Sequence, residues 1–242
     1  MTPRRTYVLC ATPRSGSTLL CSLLRSSGVA GQPESWFRRQ DRADWAREWS
    51  IARADGSYDW ASYLTAALVA GTGPNGVCGL RLMWNMLEEL TAELGDEPPR
   101  HQAGLMAASF GPLQFLLLSR RDLVAQAVSR HRAEVSGTWH LGFEEVIHPA
   151  EPHYDGAMIR RYLNEAVEDN AAWDGWFKAN GITPYRITYE DLSAAPVDTA
   201  EAVLAFLGLD HVTRPLRAAN RRMADDVSAV WVARYKAEAK PE

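Results

Sequence analysis

Tyr7-Val-Leu-Cys-Ala-Thr12 is a short apolar run that ends directly in the small-residue segment Thr12-Pro-Arg-Ser-Gly-Ser-Thr18. An apolar run of that length, closed by Pro, Gly and Ser, reads as a buried strand running into a turn. Beyond the turn, Leu19, Leu20, Leu23 and Leu24 recur at helical spacing and Gly28 supplies a stop. Strand, loop and helix in that order form an anion cradle, because loop amides and the helix dipole converge there while small side chains admit a phosphate. Ser17 and Thr18 add hydroxyl donors, and Arg14 adds a forked, permanently charged one. A plain turn capped by Ser17 fits the same spacing. No Walker A sequence exists in the chain, since none of its three lysines (Lys178, Lys236, Lys240) follows a glycine.

Three further strand candidates follow: Val77-Cys-Gly-Leu-Arg-Leu-Met83, Gln114-Phe-Leu-Leu-Leu-Ser119 and Tyr185-Arg-Ile-Thr-Tyr189. Helical periodicity appears after Asp122, from about Gly156 to Ala179, and from Asp198, which forms a capping box with Glu201, towards Gly208. Alternating strands and helices imply an α/β fold: a phosphate-loop-like three-layer sandwich around a central, mostly parallel sheet. Residues 1–242 fit one domain. The stretches at about 35–66 and 136–155 have weak periodicity and are expected to be acceptor loops or lids.

The 242 residues are 46% hydrophobic and 23% charged, with a net charge of −4. That balance offers no general attraction to a polyanion, so nucleic acid is not an expected partner, and a nucleotide site must gather its arginines locally. No apolar run is long enough for a membrane span, and no signal-peptide pattern opens the chain, so the expected location is cytoplasmic. Cys10, Cys21 and Cys78 lie far apart within apolar stretches, which suits buried, reduced thiols. Neither they nor the six histidines have metal-ligand spacing, so no metal is expected.

Across nearly the whole chain, ordered blocks resemble sulfotransferases that use 3′-phosphoadenosine 5′-phosphosulfate, nearest to the bacterial group of trehalose 2-sulfotransferase. The blocks are Pro13 through Thr18, Gly28-Val-Ala-Gly31 with Pro33 and Trp36-Phe37, Pro74-Asn-Gly-Val77, and Leu82-Met-Trp-Asn85. They continue in Arg120-Arg-Asp-Leu-Val-Ala-Gln-Ala-Val-Ser129, Ile187-Thr-Tyr-Glu-Asp-Leu192, Arg222-Met-Ala-Asp225, and Ser228 through Trp231 to Arg234-Tyr235. The resemblance implies the sulfotransferase fold and sulfuryl transfer to a hydroxyl of a small carbohydrate or secondary metabolite, without a metal. It is also compatible with a homodimer.

By the same resemblance, Arg14, Ser15, Gly16, Ser17 and Thr18 hold the 5′-phosphosulfate, while Arg120, Ser129 and Arg222 hold the 3′-phosphate. Arg121 stands where the family has proline, so either arginine of the pair is placed for that contact. Arg132 matches a recurrent family position without an assigned role. Ser35 occupies the position of the family's catalytic glutamate, and Glu34 lies one residue earlier. On an extended segment that offset turns Glu34 to the other face, whereas a loop can still deliver it. Glu34 is the leading base, with His131, His140, His148 and His153 as other candidates, or an acceptor acidic enough to need none. Trp36 and Phe37 are expected to touch the acceptor, and Trp45 and Trp49, four apart, to pack on the core. The competing readings are a nucleotide kinase-like phosphoryl transferase, disfavoured by the missing loop lysine, and a catalytically weakened nucleotide-binding protein.

Overall fold

A computed structural model describes residues 3–95, 97–137, 152–209, 212, 214–218 and 226–239. Its centre is a sheet of four strands, β1 (Arg5–Ala11), β2 (Val77–Met83), β3 (Leu113–Ser119) and β4 (Tyr185–Thr188), in the order β2-β1-β3-β4. Every neighbouring pair is parallel, with Leu9 registered on Arg81 to one side and on Leu116 to the other. Parallel strands must be covered on both faces, which is why these runs are almost continuously apolar.

The period-two alternation divides the core. Tyr7, Leu9, Ala11, Leu116 and Leu118 face helix α1 (Ser17–Ser26), with Leu20, Leu23 and Leu24 packed against them. Val8, Cys10, Leu80, Leu82, Phe115 and Leu117 join the second cluster. That cluster takes Ala46 from α2 (Arg42–Glu48), Tyr63 and Leu68 from α3 (Trp60–Gly71), and Met86, Leu87 and Leu90 from α4 (Trp84–Leu94). It also includes Met106 and Phe110 of α5 (Gln102–Phe110). All three cysteines are buried and free.

A third cluster joins α6 (Leu123–Ser136), α7 (Gly156–Ala179) and a late helix that closes the described chain. The short α8 (Tyr189–Ala194), α9 (Pro196–Phe206) and that late helix, α10 (Asp226–Glu238), complete the helical layers. The chain leaves central β1 for β2 on one side and then crosses to β3 on the other. The loops after β1 and β3 therefore open a crevice at the carboxyl edge of the sheet, where doubly wound sheets bind ligands.

Two expectations change. Residues 35–66 carry more helix than their weak periodicity suggests: α2 and the start of α3 lie here, and Trp45, Trp49, Trp60 and Tyr63 pack into an aromatic layer on the core. Within the same stretch Ser35, Arg38, Asp41 and Trp45 line a cleft. Helix α9 is started by Pro196 at its first turn, and no side chain caps it, so Asp198 lies inside the helix. Proline at that position loses no hydrogen bond and presets φ for the first turn. Of 136–155, residues 138–151 lie outside the described residues. Among the described residues no helix is long and apolar enough to cross a membrane.

Candidate active site

The loop after β1 is held open by its backbone. Gly16 takes φ 94° as the N-cap of α1, and no side chain caps that helix. Ser17, Thr18 and Leu19, whose amides belong to the uncapped first turn, all line one large cleft of about 1840 Å³. Ser15 turns inward instead, its hydroxyl donating to the Thr12 carbonyl at 2.8 Å. Arg14 has φ 65°, and among the described residues only Ser50 shares such a value without being glycine. A left-handed non-glycine residue costs about 1 kcal/mol or more, and such strain gathers at ligand clamps. Gln126 anchors the loop from α6, donating to the Thr12 hydroxyl at 2.8 Å and the Pro13 carbonyl at 2.7 Å.

Arg120 enters from the end of β3. It stacks over the Tyr189 ring at 4.3 Å and reaches the Arg14 carbonyl at 3.5 Å. Arg14 in turn donates from Nε to the Ser129 hydroxyl at 3.0 Å, so loop, strand end and α6 meet at one point. Burial and the like charge of Arg120 both lower the Arg14 pKa. A bound anion relieves that repulsion. Arg120 and Ser129 both line the cleft. The neighbouring Arg121 is 62% exposed and pairs with Glu190 and Asp191, so only the first arginine of the pair faces the cleft. Glu190 also accepts the Arg121 and Asp122 amides at 3.1 and 3.2 Å, fixing this turn against α8.

On the other side of the loop stands Arg81, near the end of β2, with its side chain 11% exposed. Its Nη1 donates to Thr18 Oγ1 at 3.0 Å, its Nε to Ser35 Oγ at 2.7 Å, and its Nη2 to Glu34 Oε1 at 2.5 Å. Glu34 Oε1 also accepts the Ser35 amide at 2.8 Å, and Oε2 accepts Arg25 Nη2 at 3.1 Å. Burial pushes the Glu34 carboxyl up, but Arg81, the Ser35 amide and Arg25 together hold it below its ordinary value. Glu34 and Ser35 are not turned to opposite faces. Both reach one guanidinium, and both line the cleft beside Thr18. Arg81 was not among the residues expected from the sequence. The available signal was a lone charge at the end of an apolar strand.

The aromatic pair is placed differently from the expectation. Phe37 is 0% exposed and Trp36 8%, both in the core, whereas Trp45, stacked on Trp49 at 5.7 Å, lines the cleft. The apolar demand of the layer beneath β2 outweighs any use of the pair as a platform. His131 is buried, bonded to the His153 carbonyl at 2.9 Å and packed beside Tyr162 and Trp231. Arg132 bonds the Ser228 hydroxyl, tying α6 to α10. His140, His148 and Arg222 lie outside the described residues. Helix α7 contributes Glu165, Glu168 and Asp169 to the cleft. Burial and the nearby carboxylates of Glu165, Glu88 and Glu168 push Asp169 up to about 6 against the pull of Arg130. Among the described residues no group of three or more His, Cys, Asp or Glu side chains gathers to hold a metal.

Residues 6–238 match the model of the family described as Stf0 sulphotransferase. A trehalose 2-sulfotransferase of Mycolicibacterium smegmatis is 31% identical over 259 residues, covering 97% of this chain and 95% of that protein. One from Mycobacterium tuberculosis is 32% identical over 257 residues, covering 97% and 96%. Among solved structures, the sulfotransferase domain of the Synechococcus PCC 7002 olefin synthase is 14% identical, covering 99% of this chain and 97% of that one, with a TM-score of 0.39.

Proposed function

We propose, from the premise that this chain belongs to the Stf0 sulphotransferase family, that it moves a sulfuryl group from 3′-phosphoadenosine 5′-phosphosulfate to a hydroxyl of a small acceptor. The observation that carries the reading is the meeting of the Arg14 loop, Arg120 and Ser129 in one cleft with Glu34. The loop amides and Arg14 suit the 5′-phosphosulfate, while Arg120 and Ser129 suit the 3′-phosphate. The acceptor class is a carbohydrate or hydroxylated metabolite, as the names of the two relatives suggest.

In the reaction the acceptor oxygen attacks sulfur, and the bond between sulfur and the bridging phosphate oxygen breaks. Adenosine 3′,5′-bisphosphate leaves with that electron pair. Donors already aimed at the leaving phosphate stabilise its growing charge without reorganising. The acceptor proton passes to Glu34. Its carboxyl is ionised at neutral pH, and its weak basicity suffices because the attacking hydroxyl becomes strongly acidic as the new bond forms. A second reading gives that proton to Asp169, which lines the same cleft and whose value of about 6 suits a base near neutrality.

Incubation with the sulfate donor and a panel of sugars and hydroxylated metabolites is expected to give a mass gain of about 80 Da on an acceptor. Adenosine 3′,5′-bisphosphate should bind about 10²-fold or more tightly than adenosine 5′-monophosphate, the scale of charge-assisted bonds to one phosphate. Equal affinity for the two nucleotides sinks the donor assignment. Preference for ATP with phosphate transfer points to a kinase, and tight nucleotide binding without transfer to a weakened enzyme.

A further inference from the structure

We propose that Arg81 is a positioning residue that fixes the Glu34 carboxylate to the donor loop, so that donor and proton acceptor are held in one register. The proposal rests on the reading of Glu34 as base. It is carried by the three bonds of one guanidinium, to Thr18 in α1, to Ser35 and to Glu34. These partners belong to two segments that are not neighbours in sequence, and β2 is the element that lies between them: the Arg81 amide donates to the Glu34 carbonyl at 3.0 Å. Main chain and side chain of Arg81 therefore grip the same residue.

Its fork matters as much as its charge. A guanidinium offers donors in a fixed plane, so one side chain can satisfy a hydroxyl on the donor side and a carboxylate on the acceptor side simultaneously. A lysine keeps the charge but cannot hold three directions rigidly. Arg25, the other cation on Glu34, lies in the last turn of α1, has a side chain 40% exposed, and donates to Glu34 and to the Pro33 carbonyl. Its hold is screened by solvent and starts two turns along α1 from Thr18, away from the loop.

The test separates electrostatics, geometry and the base reading. Carbon-13 labelling of glutamate carboxyls, with Glu34 assigned by its loss in E34Q, lets its titration be followed directly by NMR without any acceptor. In R81Q the Glu34 midpoint is expected to rise by about one pH unit or more, and in R25Q by clearly less. R81K should keep the low midpoint. It should still lose about tenfold or more in turnover, because the bonds to Thr18 and Ser35 go with the fork. Affinity for adenosine 3′,5′-bisphosphate should change much less in all three. An unmoved Glu34 titration in R81Q, or wild-type turnover in R81K, overturns the proposal. Full turnover in E34Q instead overturns the base reading, and the NMR titration still reports whether Arg81 holds the carboxylate. Should R81Q fold poorly, R81K and R25Q carry the comparison.

Discussion

Arg14 shows how a single residue can combine strain, charge and position. Its φ of 65° is unfavourable for a side chain, and its guanidinium is buried beside the like charge of Arg120. Neither feature helps the protein without a ligand, so both costs are consistent with a site built for an anion. Arg14→Ala keeps the backbone strain, because alanine also has a Cβ, but removes the buried charge together with its bond to Ser129. Folding stability should therefore stay within about 1 kcal/mol of the parent, or rise, when urea unfolding is measured. Turnover should nevertheless fall by about 10²- to 10³-fold, the scale of one lost donor to a developing charge. Retention of adenosine 3′,5′-bisphosphate should fall less, because Arg120, Ser129 and the loop amides remain. Stability loss matching the loss of turnover would count against this role. Arg14 could be singled out in the sequence because all its local signals are contiguous. Arg81 could not, because its partners Thr18, Glu34 and Ser35 become neighbours only when β2 lies beside β1. Phe37 misled for the converse reason: an aromatic side chain in a candidate loop reads equally as platform or as core, and burial alone decides.

At the scale of elements, the turn between β1 and α1 has almost no freedom at Gly16. Its φ of 94° is one that side chains rarely adopt, and a Cβ there would lie 2.7 Å from Tyr189 Cδ2. Gly16→Ala is thus expected to cost about 1–3 kcal/mol in urea unfolding, from backbone strain and overpacking together. It should also weaken binding of adenosine 3′,5′-bisphosphate in calorimetry, because the displaced ring of Tyr189 supports Arg120. Trimming the ring with Tyr189→Leu in the same chain should restore the packing part of the stability and not the strain. An alanine variant as stable as the parent would show that the turn does not need glycine. The four strands were legible because each is a short apolar run between breakers, and in a parallel sheet that run is buried on both faces. Of helix α2 only the four-residue spacing of Trp45 and Trp49 is legible, because seven residues carry barely two turns of periodicity. At α9 the capping pattern of Asp198 and Glu201 points two residues too far along, because Pro196 starts the helix.

Over the whole molecule, a net charge of −4 conceals a separation of charge within one cleft. Arg14, Arg81 and Arg120 gather where the donor's anions are proposed to lie, while α7 brings Glu165, Glu168 and Asp169 to the same cavity. Arg130 holds Glu165 at 2.9 Å, but Asp169 has carboxylates around it and sits partly buried. Its pKa of about 6 in the folded protein lies above the ordinary value of about 3.9 for an unfolded chain. Between those values the native state binds the extra proton, so this group makes stability fall as pH rises from about 4 to about 6, and the loss persists above. Asp169→Asn removes the ionising group. It should therefore stabilise the protein at pH 8 by about 1 kcal/mol, after discounting for solvent screening of a half-exposed carboxyl, and have almost no effect at about pH 4. Urea unfolding of both proteins at the two pH values measures this. The same variant decides between the two proton acceptors. If Glu34 is the base, Asp169→Asn should leave turnover within about threefold of the parent, with the acid limb of the rate profile unmoved. If Asp169 is the base, that limb should disappear near pH 6 and turnover fall by about 10²-fold or more, while Glu34→Gln stays active.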